Sequence, residues 1–426
     1  MSVITKTPTF FQKTLYVLLA FTLVCTSCQK ENALQLAETV ESPTLDAATA
    51  TRKALQMAEQ HGLANIFDVE GIQQLHPSAN TAKIRETAEK AIGRFGGHQT
   101  YADYQVLFER AINPDDFECG SPTFLDEFAA ASLEGFTDEQ ANLLFGNTPA
   151  IFLEALFFDD TPEDENFGIN GEYNTSLRRN FINLKRFWDI PTDIILVDLK
   201  GTIFKDEALV SEIVQAFFVV GLDENGNPIF ADKAFADQYA NFLKIAFSDP
   251  IFQDYNHPLF SFNAFASAGN PGLGIPNKIA MGDGLMEAYR ANGLRTMADN
   301  FILAHEYGHQ IQFANGYFDG VPNTAEGTRY TELMADAYGA YFMTHGRGAF
   351  AEPAVITQMV KTGFSIGDCF FDSPSHHGTH NQRSAAAAWG GNLARRKAFL
   401  DPPLSSQAFF ELFLEEFPNL IKPDAG

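Results

Sequence analysis

Leu303-Ala304-His305-Glu306-Tyr307-Gly308-His309-Gln310 sits in a proline-free, mostly apolar stretch from Ala298 to Phe313. Such a stretch predicts a buried helix. On a helix, His305 and His309 are one turn apart on one face. Two imidazoles so arranged can both reach a single metal ion at about 2.0–2.1 Å. Glu306 lies beside them, near enough to act on a water at that metal without being a ligand. Chance alone yields H-E-x-x-H in roughly one chain of this kind in a hundred. The motif therefore needs a third ligand. Without one, the histidines are polar contacts inside a helix bundle.

Downstream, Arg329-Tyr330-Thr331-Glu332-Leu333-Met334-Ala335-Asp336-Ala337-Tyr338 again reads as a helix, with small residues that permit close packing. Glu332 and Asp336 are i and i+4. If this helix packs on the first, Glu332 completes a His2Glu zinc site. Asp336, one turn on, can accept the Nδ1–H of a zinc histidine and fix its tautomer. His345 is a rival third ligand, but Gly346 and Gly348 put it at the helix end. The expected set is one Zn2+ per chain, held by His305, His309 and Glu332, with Asp336 behind them. Glu306 is the general base of such a site.

H-E-Y-G-H followed by E-L-M-A-D resembles the gluzincin metallopeptidases, in particular the bacterial neutral zinc metallopeptidase group. Members of that group read H-E-x-G-H, then E-L-x-A-D, and later H-G-T/S-x-x-Q-R. This chain has His377-Gly378-Thr379-His380-Asn381-Gln382-Arg383 at the later place, preceded by one extra residue, His376. Upstream, Asn263-Ala264-Phe265-Ala266 is similar to the edge strand that lines the cleft in related enzymes. The resemblance covers roughly residues 262 to 389. It implies a zincin-like fold and peptide-bond hydrolysis. It also implies His377 as a donor to the oxyanion, and Asn263, Ala264, Phe265 and Ala266 as a strand that binds an extended peptide. Gln382 and Arg383 are expected to pin the loop rather than touch substrate.

Outward from the motif, Ile194 to Leu199, Phe260 to Ala266 and Lys278 to Met281 read as strands. Ala216 to Val220 and Ile229-Phe230 flank Asp223-Glu224-Asn225-Gly226-Asn227. That segment is a hairpin tip, since no Glu closes a calcium loop there. From Leu294 onward the pattern is helical or loop. Strands followed by a run of helices indicate an α+β domain, residues 191–426. Residues 52–190 read as a mainly helical region that matches nothing familiar. Within it, Thr137-Asp138-Glu139-Gln140 is a capping box ahead of an apolar run to Phe158.

Residues 1–27 read as a secretory signal. Lys6 and Lys13 precede an apolar run from Thr14 to Val24, too short to span a bilayer as a helix. Thr26-Ser27-Cys28 resembles the end of a bacterial lipoprotein signal, with Cys25 where Leu is usual, and implies lipidation at Cys28. Residues 28–51 read as a tether. The expected address is the cell envelope, lipid-anchored at the outer membrane, with surface exposure left open. Cys119 and Cys369 could pair in an oxidising compartment or remain buried thiols. The 426 residues carry 54 acidic and 29 basic side chains, a net charge of −25, and 41 Phe. That charge argues against nucleic acid as a partner. The expected activity is a zinc-dependent peptidase acting on peptides or proteins. The alternatives are an inactive zinc-binding scaffold and a zinc hydrolase of a non-peptide amide.

Overall fold

The computed structural model describes residues 45–95, 123–159, 161–162, 165–191, 193–269, 275–322, 324–349, 353–367, 376–396 and 401–422. The signal, Cys28, Cys119 and Cys369 lie outside these residues. Among the described residues the fold is α+β and mostly helical, with two small sheets. None of the described helices is long and apolar enough to cross a membrane.

The strands are β1 (Ala64–Asn65), β2 (Ile195–Leu199), β3 (Phe218–Leu222), β4 (Pro228–Phe230), β5 (Ala264–Ser267) and β6 (Lys278–Gly282). One sheet has the order β1-β3-β4 and is antiparallel throughout. Its β3–β4 connection is the expected hairpin. The Asp223 carboxylate is consumed by the turn, accepting from the Asn225 and Asn227 N–H groups at 2.8 Å each.

The second sheet has the order β2-β6-β5. β2 runs parallel to β6, in register from Ile195 against Lys278 to Leu199 against Gly282. β5 runs antiparallel to β6 and forms the edge. β6, in the middle, is buried at every position, as a strand covered on both faces must be.

Three expected boundaries move. Ala216 and Phe217 end the helix Glu207–Phe217, and strand begins only at Phe218. Val210, Ile213, Val214 and Phe217 are all buried on that helix, which is helical spacing rather than strand alternation. Phe260 closes a 3-10 turn, Pro258–Phe260, and β5 starts at Ala264. Within the stretch read as tether, a helix runs from Ala47 to His61. Asp46 caps it, accepting from Thr49 N–H at 2.7 Å.

Residues 45–426 form one compact unit, and the change of composition near residue 190 lies within it. The helix Asp138–Phe157, started by the expected Thr137–Gln140 capping box, sits beside β5 and β6. Its Phe152 meets Phe265 edge-on at 5.9 Å. Buried Lys278 of β6 donates to the Ala155 carbonyl at 3.0 Å and to that of Asp159. The helix Asn174–Phe187 packs on the motif region through Phe181 and Tyr307, 6.5 Å apart.

Candidate metal centre

Three helices build the site. The motif helix runs from Arg295 to Asn315 and stops at Gly316, which takes the left-handed conformation at φ 68°. Gln310 ties it to the sheet, donating to the Ser267 carbonyl at 3.1 Å and the Lys278 carbonyl at 2.8 Å. The partner helix runs from Ala325 to Thr344, capped by Thr324. The two meet backbone to backbone. A Cβ on Gly308 would lie 2.8 Å from Ala335 Cα, and one on Gly339 2.9 Å from His305 N. The third helix, His380–Arg395, begins with a capping box in which Thr379 and Gln382 satisfy each other's backbone N–H groups.

This packing brings His305, His309 and Glu332 together. The two Nε2 atoms are 3.2 Å apart. Glu332 Oε2 is 3.3 Å from His305 Nε2, and Glu332 Oε1 is 3.4 Å from His309 Nε2. Ligand atoms about 2.0–2.1 Å from one tetrahedral zinc are separated by about 3.3 Å. The observed contacts have that length, each histidine facing a different oxygen of Glu332. One ligand atom each of His305, Glu306 and His309 also lie within 4.8 Å of one another. Glu332 lies 3.3 and 3.4 Å from the two rings, and Glu306 belongs to the same buried group.

The far side of each imidazole is held. His305 Nδ1 lies 2.9 Å from Asp336 Oδ1, and His309 Nδ1 lies 2.9 Å from Gln312 Oε1. Gln312 donates its amide N–H to the Thr331 carbonyl at 2.7 Å, which turns its oxygen toward His309. Both Nδ1 atoms therefore carry the proton, and both Nε2 lone pairs face each other. Facing lone pairs at 3.2 Å repel each other unless a metal ion or a proton lies between them. Without a metal a proton serves. Burial opposes that proton, but hydrogen bonds and charge from Asp336 and Glu332 outweigh burial and lift His305 to about 9.

The charge of the site would also suit a divalent cation. Glu306, Glu332 and Asp336 are at most 3% exposed, and buried Arg383 is the cation paired with two of them. With neutral histidines the set sums to −2, which a divalent cation cancels. Uncompensated buried charge is too costly to leave standing. Glu306 Oε2 is buried and has no hydrogen-bond partner among the described residues. A buried carboxylate oxygen in that state calls for a further donor.

The other expected residues are distributed differently. β5 lies at the edge of its sheet, but the Phe265 ring is wholly buried in the core and the rest of the strand is buried too. Asn263 caps β5, accepting from Ala264 N–H at 3.0 Å, and its carbonyl accepts from Gly282 N–H at 2.9 Å. His377 lies in the loop before the third helix, and its carbonyl accepts from Arg383 at 3.5 Å. Neighbouring Gly378, at φ 101°, packs on Leu333 and Arg329 of the partner helix. His345 caps the far end of the partner helix, its Nδ1 accepting from Arg347 N–H at 3.1 Å.

Arg383 and Gln312 were not identified as site residues from sequence. Gln312, three residues after His309, had the helical spacing to reveal it. Arg383 had no such signal, because its partners are on a helix some fifty residues earlier. No family model matches this chain, and neither a curated protein nor a solved structure does.

Proposed function

We propose that the chain is a zinc-dependent peptidase with a zincin-like catalytic fold, holding one Zn2+ through His305, His309 and Glu332. The observation that carries this reading is the meeting of two Nε2 atoms, 3.2 Å apart, with the Glu332 carboxylate, whose two oxygens lie 3.3 and 3.4 Å from them. When bound, zinc supplies Lewis acidity that acidifies a water and polarises a scissile carbonyl. Asp336 and Gln312 hold the two imidazoles with Nε2 forward. Glu306, with its unpartnered Oε2, takes the water's proton and returns it to the leaving amine. An inert zinc scaffold would make no use of that oxygen. β5 offers an edge on which an extended peptide can add as a strand. His377, in the loop against the partner helix, is the proposed donor to the oxyanion. Attachment to the cell envelope through Cys28 belongs to the same proposal.

The test is zinc content and hydrolysis of an unbiased peptide library by the full chain and its Glu306→Gln variant. One zinc in both is expected, with cleavage reduced about 10²–10⁴-fold in the variant. One zinc in both with no cleavage in either would favour the scaffold or a non-peptide amide substrate. No zinc in either would end the metal reading.

A further inference from the structure

We infer that the segment from Glu165 to Gly168 is a pH-operated strap across the carboxyl ends of β2 and β6, closed while the Glu165 carboxyl holds a proton and released when that proton leaves for solvent. The inference does not depend on the zinc reading, since none of its residues belongs to the metal centre.

β2 is an edge of its sheet, with β6 on one side only. An edge strand leaves N–H groups without ladder partners. At Asp198 the partner is a side chain of the strap: the Asp198 N–H donates to Glu165 Oε2 at 2.5 Å. The strap answers in kind, with Asn166 N–H donating to Asp198 Oδ2 at 3.1 Å. Just past the end of β6, Asp283 Oδ1 accepts from Gly168 N–H at 2.6 Å. Lys200 reaches the Asn166 carbonyl and pairs with Asp198 at 2.7 Å. The carboxyl groups of Glu165, Asp198 and Asp283 thus hold a short stretch of chain against two parallel strands.

These carboxyls crowd one another. Glu165 is 8% exposed, and its carboxyl lies within hydrogen-bonding reach of those of Asp159 and Asp198. Ionised carboxylates only accept, so such contacts need a proton on one of them. Glu154 feels the same two charges, Asp159 and Asp198. The cations nearby serve other atoms. Lys200 is on Asp198, Arg178 donates to the Pro162 and Glu165 carbonyls, and Lys278 donates to the carbonyls of Ala155 and Asp159. Burial first, then Asp159 and Asp198, keep Glu165 protonated far above the ordinary 4.5 of a glutamate. Burial likewise raises Asp283 to about 7, against the Gly168 N–H and Lys200 and with the charges of Asp198 and Glu172.

An open strap returns Glu165 to water, where it ionises near 4.5. From there upward the closed strap holds one proton more than the open one. Each pH unit therefore favours opening by about tenfold, until the closed form itself ionises. Gly168 and Glu172 form one wall of a cavity of about 220 Å³, which they share with Lys200, Tyr255, Asp283 and Glu287. Release of the strap unseats that wall.

The test is hydrogen exchange of the full chain at pH 7 and pH 8, read as protection after correction for the base-catalysed rate of an open amide. The reporting amides are those of Asn166, Gly168 and Asp198. Amides of β6, protected throughout, show that the fold itself persists. In the native chain, protection of the three is expected to fall at least about tenfold from pH 7 to pH 8. Glu165→Gln keeps the acceptor for the Asp198 N–H and carries no charge at either pH. Its protection should fall no more than about twofold, the share left to Asp283. Asp283→Asn should keep the tenfold fall. Protection independent of pH in the native chain would overturn the inference, and that result does not require either variant to fold. An equal fall in the native chain and in Glu165→Gln would overturn it as well.

Discussion

Each motif histidine commits one ring nitrogen to the protein and turns the other inward, and the two commitments differ in kind. His305 has a carboxylate behind it, Asp336, itself held by Arg383. His309 has a neutral amide, Gln312, oriented by a backbone carbonyl. On the zinc reading the carboxylate makes His305 the more basic ligand, because a hydrogen-bonded negative charge raises the electron density of the ring. Asp336→Asn keeps the shape but can turn an N–H toward Nδ1, removing the acceptor that fixes the tautomer. Zinc affinity is expected to fall about 10–100-fold, measured by competition with a chromophoric chelator. Unchanged affinity would mean that Asp336 serves only as the partner of Arg383.

Among elements, the contact that decides the site is the one between the motif helix and the partner helix. Gly308 faces Ala335, and Gly339 faces the backbone of His305 and Ala304. Side chains at either glycine would separate the helices at the level where Glu332 must reach the histidines. Gly308→Ala is expected to destabilise the fold by about 1–3 kcal/mol through overpacking, and to weaken zinc binding as well. Gly146, exposed on the helix Asp138–Phe157 with nothing near its missing Cβ, is the control. There Ala should stabilise by about 0.5–1 kcal/mol on helix propensity. Denaturation midpoints and zinc affinity for both variants check the pair, and equal behaviour would remove the close-approach argument. The helices and their four polar site residues were legible because i, i+4 spacing survives in a linear sequence. Thr137 and Gln140 announced a helix start, and Asp223 a turn, for the same reason: the partners are local. The contact of Gly308 with Ala335 is not local, nor is that of Arg383 with Glu332 and Asp336. At Ala216 the apolar run fits two periods, and only the burial of Val210, Ile213 and Val214 on one helix chose between them.

Residues 45–426 form one unit that joins two small sheets to helices from both halves, and burial there catches ionisable groups as well as phenylalanines. Burial first, then the charges of Asp159 and Asp198, push Glu154 up to about 8 despite Lys278. Burial pushes Asp299 up to about 7 against the pull of Arg290. In the unfolded chain these groups release their protons near their ordinary values of 4.5 and 3.8. Between those values and the folded ones, the native state binds more protons than the unfolded state, so stability falls as pH rises. His305 without metal acts in the same direction, since its folded value of about 9 exceeds the ordinary 6.5 of an imidazole. Its contribution is fully present below 6.5 and is lost as pH passes 9. The chelator-stripped chain is therefore expected to be more stable at pH 5 than at pH 8, by at least on the order of 1 kcal/mol. Urea midpoints at the two pH values measure this. On the zinc reading the metal opposes that trend, because it competes with protons for the histidines and binds better as pH rises. The gap between zinc-loaded and stripped midpoints should widen from pH 6 to pH 8. A stripped chain more stable at pH 8 would mean that Glu154 and Asp299 are ionised and compensated in the native state, and a gap independent of pH would mean that zinc does not displace a proton from His305.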